Sequence, residues 1–457
     1  MSEPAAAAPT CPPRWFLPAL LVLHGALALV YTQIIPVDRG PDEPHHLLYI
    51  EHFEKYGDLP YLTSEKTTRD DRDGSIAIHP PLYYVACWPL YHLVRHWSEP
   101  RIQMVFRFVA LLLAWGTLLL AARLLSGVFP DQPSIVMLAL VVIALLPEFQ
   151  LLSAVQNNDG AMMLLSTGLA LLLFERLDRA GEVRDWAWIG VALGAVVLTK
   201  ATGAAFLPVP LLLLWKQARD HGWSPGAVAR RAAAFLAGPL VLDFWWFARN
   251  KHYSGHYHPI YRWTGHPFIF DSLTDFLVGG QRSWICLKRF VLGAQQSLWG
   301  QVDWYLPQRP GEARLVAYPA GVALYDLFTA LEIAAGLGLL WVWLRSRRRP
   351  LYDRRQHFAL LLAAALFGLL YAALAHYTLF VHPGGFQGGR YLMPAVAPFA
   401  LLFSNGLLSP LPPKLRPWLV GLIAVLLVLW NLACMANITG YLNPLYAPGE
   451  GIQINFG

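Results

Sequence analysis

The sequence predicts an all-α polytopic membrane protein of about eleven transmembrane helices, and three observations carry that prediction. Charged residues make up only 14% of the 457-residue chain and hydrophobic ones 56%, whereas a soluble domain carries about 25% charged residues. Apolar runs of membrane-spanning length, about 20 residues, recur along the chain. Lys and Arg gather on alternate connections, which is how membrane proteins fix their orientation. A soluble fold is excluded. The net charge of +6 follows from the loop bias and gives no ground for nucleic-acid binding. Cys11, Cys87, Cys286 and Cys434 stand singly, with no metal-ligand spacing, so structural zinc and redox chemistry are unsupported.

The segment Met1–Pro13 is Ala/Pro-rich and is expected to be disordered. The first apolar run is too long for a signal-peptide core and has no small-residue cleavage site after it, so it reads as a retained helix. The expected spans are Trp15–Ile35, Val105–Leu125, Ser134–Leu152, Ala161–Leu177, Trp186–Leu198, Thr202–Trp215, Ala232–Phe247, Pro319–Leu344, Phe358–Phe380, Tyr391–Leu408 and Trp418–Ala436. Trp186–Leu198 and Thr202–Trp215 are short and read as a hairpin with Thr199 and Lys200 at its tip.

One further run, Pro80–Val94, decides the topology. It is short for a span, opens with Pro80-Pro81, and carries Tyr83, Tyr84, Trp88 and Tyr91, an aromatic density suited to the membrane interface. Laid flat, with the N-terminus cytoplasmic, it leaves 17 Lys and Arg on the inner side against Lys200 and Arg390 in the short outer connections. If it spanned, the basic run Arg345–Arg355 would face outward. The flat placement gives an inner tail (1–14), a transmembrane module (15–248) with an outer loop (36–104), a second long outer loop (249–318), C-terminal helices (319–438) and an outer tail (439–457). Connections of that length are usually functional.

The same topology brings Asp42, Glu43, His79, Asn157-Asn158-Asp159, Lys200, Arg249 and Arg390 to one side, and ionisable groups at a bilayer edge tend to be functional. Pro44 suits the first turn of a helix over about 44–56, so Asp42 and Glu43 read either as capping acids or as a base for an acceptor hydroxyl with an assisting carboxylate. His79 either begins a proline-set helix or contacts an anionic group. Asn157 to Asp159 opens a helix and reads as its cap. Lys200 either snorkels or neutralises a lipid phosphate. Arg390-Tyr391 follows Gly384-Gly385 and Gly388-Gly389; such glycines permit close backbone approach to a ligand, and Arg forks onto phosphate. Trp263, Trp284, Trp299, Trp304 and Tyr305 read as an interface belt more readily than as sugar-stacking rings. Asn437-Ile438-Thr439 fits a glycosylation sequon, which matters only in a secretory compartment. His252, His256 and His258 have metal-compatible spacing, though isolated loop histidines seldom bind one.

At these residues the chain resembles the C-type glycosyltransferase superfamily, polytopic enzymes that use polyprenyl-phosphate sugars. Asp42-Glu43 with the helix after it and Gly57-Asp58 is similar to the first-outer-loop acidic motif of aminoarabinose transferases and protein O-mannosyltransferases. His79-Pro80-Pro81-Leu82 resembles their H/K-P-P-L signature, Asp159 the acid after the third helix, and Leu198-Thr199-Lys200 the T-K hairpin tip. Gly389-Arg390-Tyr391 with Pro394 resembles a G-R-Y…P element of related bacterial membrane proteins. The resemblance implies that fold, with interfacial helices in the first outer loop. It also implies inverting transfer from a polyprenyl-phosphate sugar to a lipid, glycan or protein hydroxyl, outside a bacterial inner membrane. Asp42 would be the base and Glu43 its assistant, with His79, Asp159, Lys200, Arg249, Arg390 and Tyr391 binding substrate. No cofactor is required by this reading, and an acidic pair could hold a divalent cation. Two departures stand out: the large soluble C-terminal domain of some members is missing, and His79 replaces the Lys of the aminoarabinose branch. The alternative is a flippase or transporter of lipid-linked sugars, but no inverted repeat or broken midplane helix is evident in the sequence.

Overall fold

The computed structural model describes residues 12–62, 77–258, 270, 272–300, 302–305, 313–316, 322–347, 351–381 and 388–442. Most of the expected N-terminal disorder, Trp263, Gly384-Gly385 and nearly all of the outer tail therefore lie outside the described residues. The chain runs α1 (Phe16–Ile34), α2 (Glu43–Tyr56), α3 (Leu82–Val94), α4 (Glu99–Val128), α5 (Pro133–Leu145), α6 (Pro147–Leu152), α7 (Asp159–Phe174), α8 (Val183–Thr199), α9 (Pro208–Asp220) and α10 (Pro225–Ser254). It continues through α11 (Leu273–Val278), α12 (Gly280–Leu298), α13 (Val322–Ser346), α14 (Arg354–His376), α15 (Val396–Leu408) and α16 (Arg416–Asn437). Tight 3₁₀ turns cover Ala201–Phe206 and Gly389–Ala395. The fold is all-α as expected; beside the helices the long connection carries one short antiparallel strand pair, β1 (Val302–Tyr305) with β2 (Ala313–Val316), in the register Val302 to Val316 and Tyr305 to Ala313. Val, Trp and Tyr in β1 favour that extended form.

Among the described residues, six stretches are long and apolar enough to cross a membrane: Phe16–Ile34, Glu99–Val128, Leu324–Ser346, Arg354–Phe380, Gly389–Leu408 and Arg416–Gly440. The chain is an integral membrane protein. The other five expected spans coincide with helices that are shorter or interrupted, or, in α10, carry more charge. Ser134–Leu152 is divided. Pro147 has no N–H to give and forces its predecessor out of the helical region, so Leu146 is extended (φ −63°, ψ 122°) and α5 stops before α6 begins. Two carbonyls at this break, those of Ala144 and Leu145, are met by side chains inside the bundle. Gln150 donates to Ala144 (2.6 Å) and Asn431 to Leu145 (2.8 Å), and His24 Nδ1 lies 2.9 Å from the Ala144 oxygen.

Small residues bring helices together where the backbone must approach closely. A Cβ added to Gly190 on α8 would lie 2.0 Å from the Phe235 carbonyl oxygen of α10, and one on Gly238 would lie 2.1 Å from the Gly190 carbonyl carbon. α13 and α15 meet in the same way at Gly338 and Gly406.

α3 has 13 residues, about 20 Å of helix, well short of a hydrocarbon core of about 30 Å. Tyr83, Tyr84 and Tyr91 pack with Leu47 and Ile50 of α2 and with Ile102 and Phe106 at the start of α4. On their rim Trp88 Nε1 donates to Glu54 (2.6 Å). The residues that the charge count places inside converge at the opposite end of the bundle. There Arg123 pairs with Glu175 (2.6 Å), Arg176 with Asp185 (2.7 Å) and Arg355 with Asp178 (3.2 Å), while Arg416 donates to Gln132 (2.8 Å).

Replacing Gly190 with Ala should part α8 from α10. Overpacking of this kind costs about 1–3 kcal/mol. Thermal unfolding of the purified protein in detergent should show a clear fall in midpoint, and an unchanged midpoint would contradict the close contact.

Candidate functional site

The chain leaves α1 at the membrane edge and turns twice through left-handed backbone, at Asp38 (φ 65°) and Asp42 (φ 56°). Non-glycine residues rarely adopt that region, and Asp is among those that tolerate it best. The turn at Asp42 points the two neighbouring carboxylates in different directions. Glu43 goes inward, where it is fully buried and accepts a fork from Arg107 of α4: Nε at 2.8 Å and Nη2 at 2.7 Å. Arg107 also donates to the carbonyls of Thr32 (2.9 Å), Ile35 (2.8 Å) and Pro36 (3.0 Å), while the Gln156 N–H donates to Glu43 (3.0 Å). One ion pair thus ties the end of α1, the start of α2, α4 and the turn before α7.

Asp42 goes the other way. Its carboxylate caps no helix; it accepts from Arg390 Nη2 at 2.7 Å and keeps its side chain 27% exposed. Burial would raise its pKa, but the Arg390 guanidinium, helped by the surrounding histidines, more than offsets that and holds the carboxyl well below the usual range. Arg390 is itself buried and lies 3.3 Å from the Tyr391 hydroxyl. The Lys200 ammonium sits 4.4 Å from the centre of the Tyr391 ring and pairs with Asp159. Two acids and two bases from four distant segments therefore form a chain: Asp42, Arg390, Lys200 beside Tyr391, then Asp159.

The glycines before Arg390 serve this arrangement by meeting the chain itself. The Gly389 N–H donates to Ser297 Oγ at 2.6 Å, and a Cβ on Gly389 would lie 2.2 Å from the Leu298 nitrogen. At Asp159 the cap is Asn157, which accepts from the Gly160 N–H (2.9 Å) and leaves the Asp159 carboxylate to Lys200.

His79 stands at the edge of this cluster, its ring 5.4 Å from that of His46. His46 is buried, one turn beyond Asp42, and its Nδ1 lies 2.8 Å from the Tyr84 hydroxyl. Tyr84 stacks on Tyr49 at 3.8 Å. Burial lowers His46 to about 3 and takes His79 well below its ordinary value, so both are neutral near pH 7. Arg249 stands apart from the ion-pair chain, donating to the carbonyls of Leu59 and Pro60. Trp299 is an internal residue, stacked on Phe328 at 4.3 Å and donating to Glu332 at 2.7 Å. Among the described residues no group of three or more His, Cys, Asp or Glu side chains could hold a metal ion.

Sequence reasoning missed Arg107 and His46. A lone charge in an apolar run and a residue four places after Asp42, hence on the same helix face, were the available signals.

No sequence-family profile matches the chain, and no curated protein matches it. Solved structures do. An apo oligosaccharyltransferase from Archaeoglobus fulgidus matches with a TM-score of 0.52 at 14% identity, over 94% of this chain and 56% of that one. The same archaeal protein, AglB, in complex with an inhibitory peptide and a dolichol-phosphate, gives 0.50 at 13% identity over 96% and 57%. With Zn and sulfate it gives 0.52 at 17% over 92% and 53%. ArnT from Cupriavidus metallidurans, bound to undecaprenyl phosphate, matches at 0.48 and 15% over 89% and 63%. The chain spans a little over half the length of the oligosaccharyltransferase. Its fold is that of the C-type glycosyltransferases.

Two measurements test the site. Arg107→Met should cost about 3–5 kcal/mol, because it strands a buried carboxylate; adding Glu43→Gln should recover a large part of the loss, and strict additivity in the double-mutant cycle would refute the pairing. The second concerns pH. Unfolded histidines titrate near 6.5 and folded His46 near 3, so between those values the unfolded chain binds more protons. Stability is then full above pH 6.5 and falls as pH drops. Thermal midpoints from about pH 7.5 to about 4.5 should decline, and less steeply in His46→Phe.

Proposed function

We propose that the chain is a glycosyltransferase that moves a sugar from a polyprenyl-phosphate donor to an acceptor hydroxyl on the non-cytoplasmic side, with inversion. The observation that carries this reading is the partly exposed Asp42 carboxylate paired with Arg390, with the Lys200–Asp159 pair beside the same Tyr391 ring, at one end of a membrane-embedded fold. The donor phosphate sits against Arg390 and Lys200, which stabilise the negative charge that develops as the bond from the anomeric carbon to the phosphate oxygen breaks. The bonding electron pair leaves with the phosphate. The acceptor oxygen attacks the opposite face of the sugar while its proton passes to Asp42.

In the resting arrangement Arg390 suppresses the basicity of Asp42. Phosphate drawing on the same guanidinium weakens that hold, so base strength rises when the donor is in place. Glu43 acts by bracing rather than by touching substrate, and His79 with His46 forms a neutral wall beside the acid. The fold resemblance supports the reaction class, and the archaeal relative's dolichol-phosphate complex supports the donor class. A divalent cation is compatible with that relative's complex with Zn and sulfate, but the acidic pair does not hold one, because Glu43 is locked by Arg107 and Asp42 by Arg390. The acceptor is a lipid, glycan or protein hydroxyl. The aqueous face is assigned from the lysine and arginine bias, and the compartment is the outer side of a bacterial inner membrane.

Asp42→Asn keeps the shape and removes the base. In a reconstituted assay with a polyprenyl-phosphate sugar, transfer should fall about 10²–10⁴-fold while binding of the donor is retained. Undiminished transfer by this variant would exclude Asp42 as the base.

A further inference from the structure

α10 carries a carboxylate outside the cluster above. Asp243 is 4% exposed, and neither of its oxygens has a hydrogen-bond partner among the described residues. It lines a groove of about 290 Å³, otherwise apolar, between α8, the turn after it and α10, together with Leu193, Val197, Leu207, Leu240 and Phe244. Leu240 and Phe244 are 61% and 60% exposed on its rim, so the groove opens toward the lipid. Burying a carboxyl without a hydrogen-bond partner costs at least about 1–3 kcal/mol, and the groove gives an occupant room to supply the missing donor.

Depth selects the occupant. Asp243 lies six residues before Arg249, about 9 Å along the helix, and Arg249 marks the outer polar edge by its bonds to Leu59 and Pro60. Toward the other end Arg231, which donates to the Gly181 carbonyl at 2.8 Å, lies twelve residues away, about 18 Å. Lipids carry their donor groups at the surface, whereas a polypeptide helix can carry one at any depth. Among the described residues, a second copy of this chain offers no lysine or arginine at that depth: every one in the spanning helices lies near a helix end or, like Arg107, is held inside.

We propose that this groove docks a transmembrane helix of a different membrane protein, one whose Lys or Arg reaches Asp243 from within the outer half of the bilayer. Leu240 and Phe244 pack against the apolar face of that helix, and the cation pairs with the Asp243 carboxylate as its side chain turns toward the groove.

The test uses the full chain in bicelles, labelled for fluorescence energy transfer, and synthetic Leu-rich membrane-spanning helices as probes. One probe carries a single Lys about 9 Å from the end of its apolar run; a second carries Leu there, and a third has the Lys at the centre. The first should bind about tenfold more tightly than the others, and Asp243→Leu, checked as folded by thermal unfolding, should abolish the difference. Equal binding of the three probes, or a Lys preference that survives Asp243→Leu, overturns the proposal. So does native mass spectrometry showing a lipid retained stoichiometrically by the wild type and lost from Asp243→Leu. None of these readouts involves sugar transfer, so their failure and that of the glycosyltransferase reading are distinguishable.

Discussion

The geometry of the outer end depends on the buried pair between Glu43 and Arg107. Two charges removed from water gain little over an apolar pair of the same shape, but each is costly without the other. Here the pair does a positional task that apolar side chains could not. Arg107 has more donors than Glu43 needs and spends the surplus on three carbonyls where α1 ends. The chain that leaves the membrane is thereby fixed before α2 starts, and Asp42 is left as the residue that must turn outward.

The charge arrangement that results is balanced at rest. Asp42 with Arg390 and Asp159 with Lys200 are two acid–base couples, with the ring of Tyr391 beside both cations. An aromatic face attracts cations, so Tyr391 helps to hold two like charges near each other without cancelling them. An anionic phosphodiester arriving there meets positive charge already gathered and oriented, with little reorganisation to make as further charge develops on the departing phosphate.

Much of this was legible in the sequence, for identifiable reasons. Apolar runs are properties of whole segments, so the helical membrane fold could be read, and the expected order of those helices puts Asp42, Asp159, Lys200 and Arg390 at one end, where they pair. Where two adjacent residues divide their tasks, local sequence is silent. Asp42 and Glu43 are chemically alike, and what separates them is one left-handed backbone angle and an arginine 64 positions away. Gly388 and Gly389 read as letting the backbone approach a ligand, but what they approach is Ser297 and Leu298 of the same chain. Arg249 has the right side and charge for the cluster, yet the carbonyls after α2 claim its donors. Each of these outcomes was set by distant contacts, which one-dimensional pattern does not encode.

The division between α5 and α6 carries a consequence for how such a sequence can drift. In water, a carbonyl freed by proline would be solvated wherever it fell. In the bilayer interior it must be met by a side chain, and here His24, Gln150 and Asn431 come from three different helices to meet the Ala144 and Leu145 oxygens. Tyr31 in turn donates to Asn431 at 3.1 Å. The break before Pro147 and these four polar residues are therefore structurally interdependent. A lineage that straightened this helix would release all four from their duty at once, and one that lost any of the four while keeping the proline would need a new donor for the same oxygen.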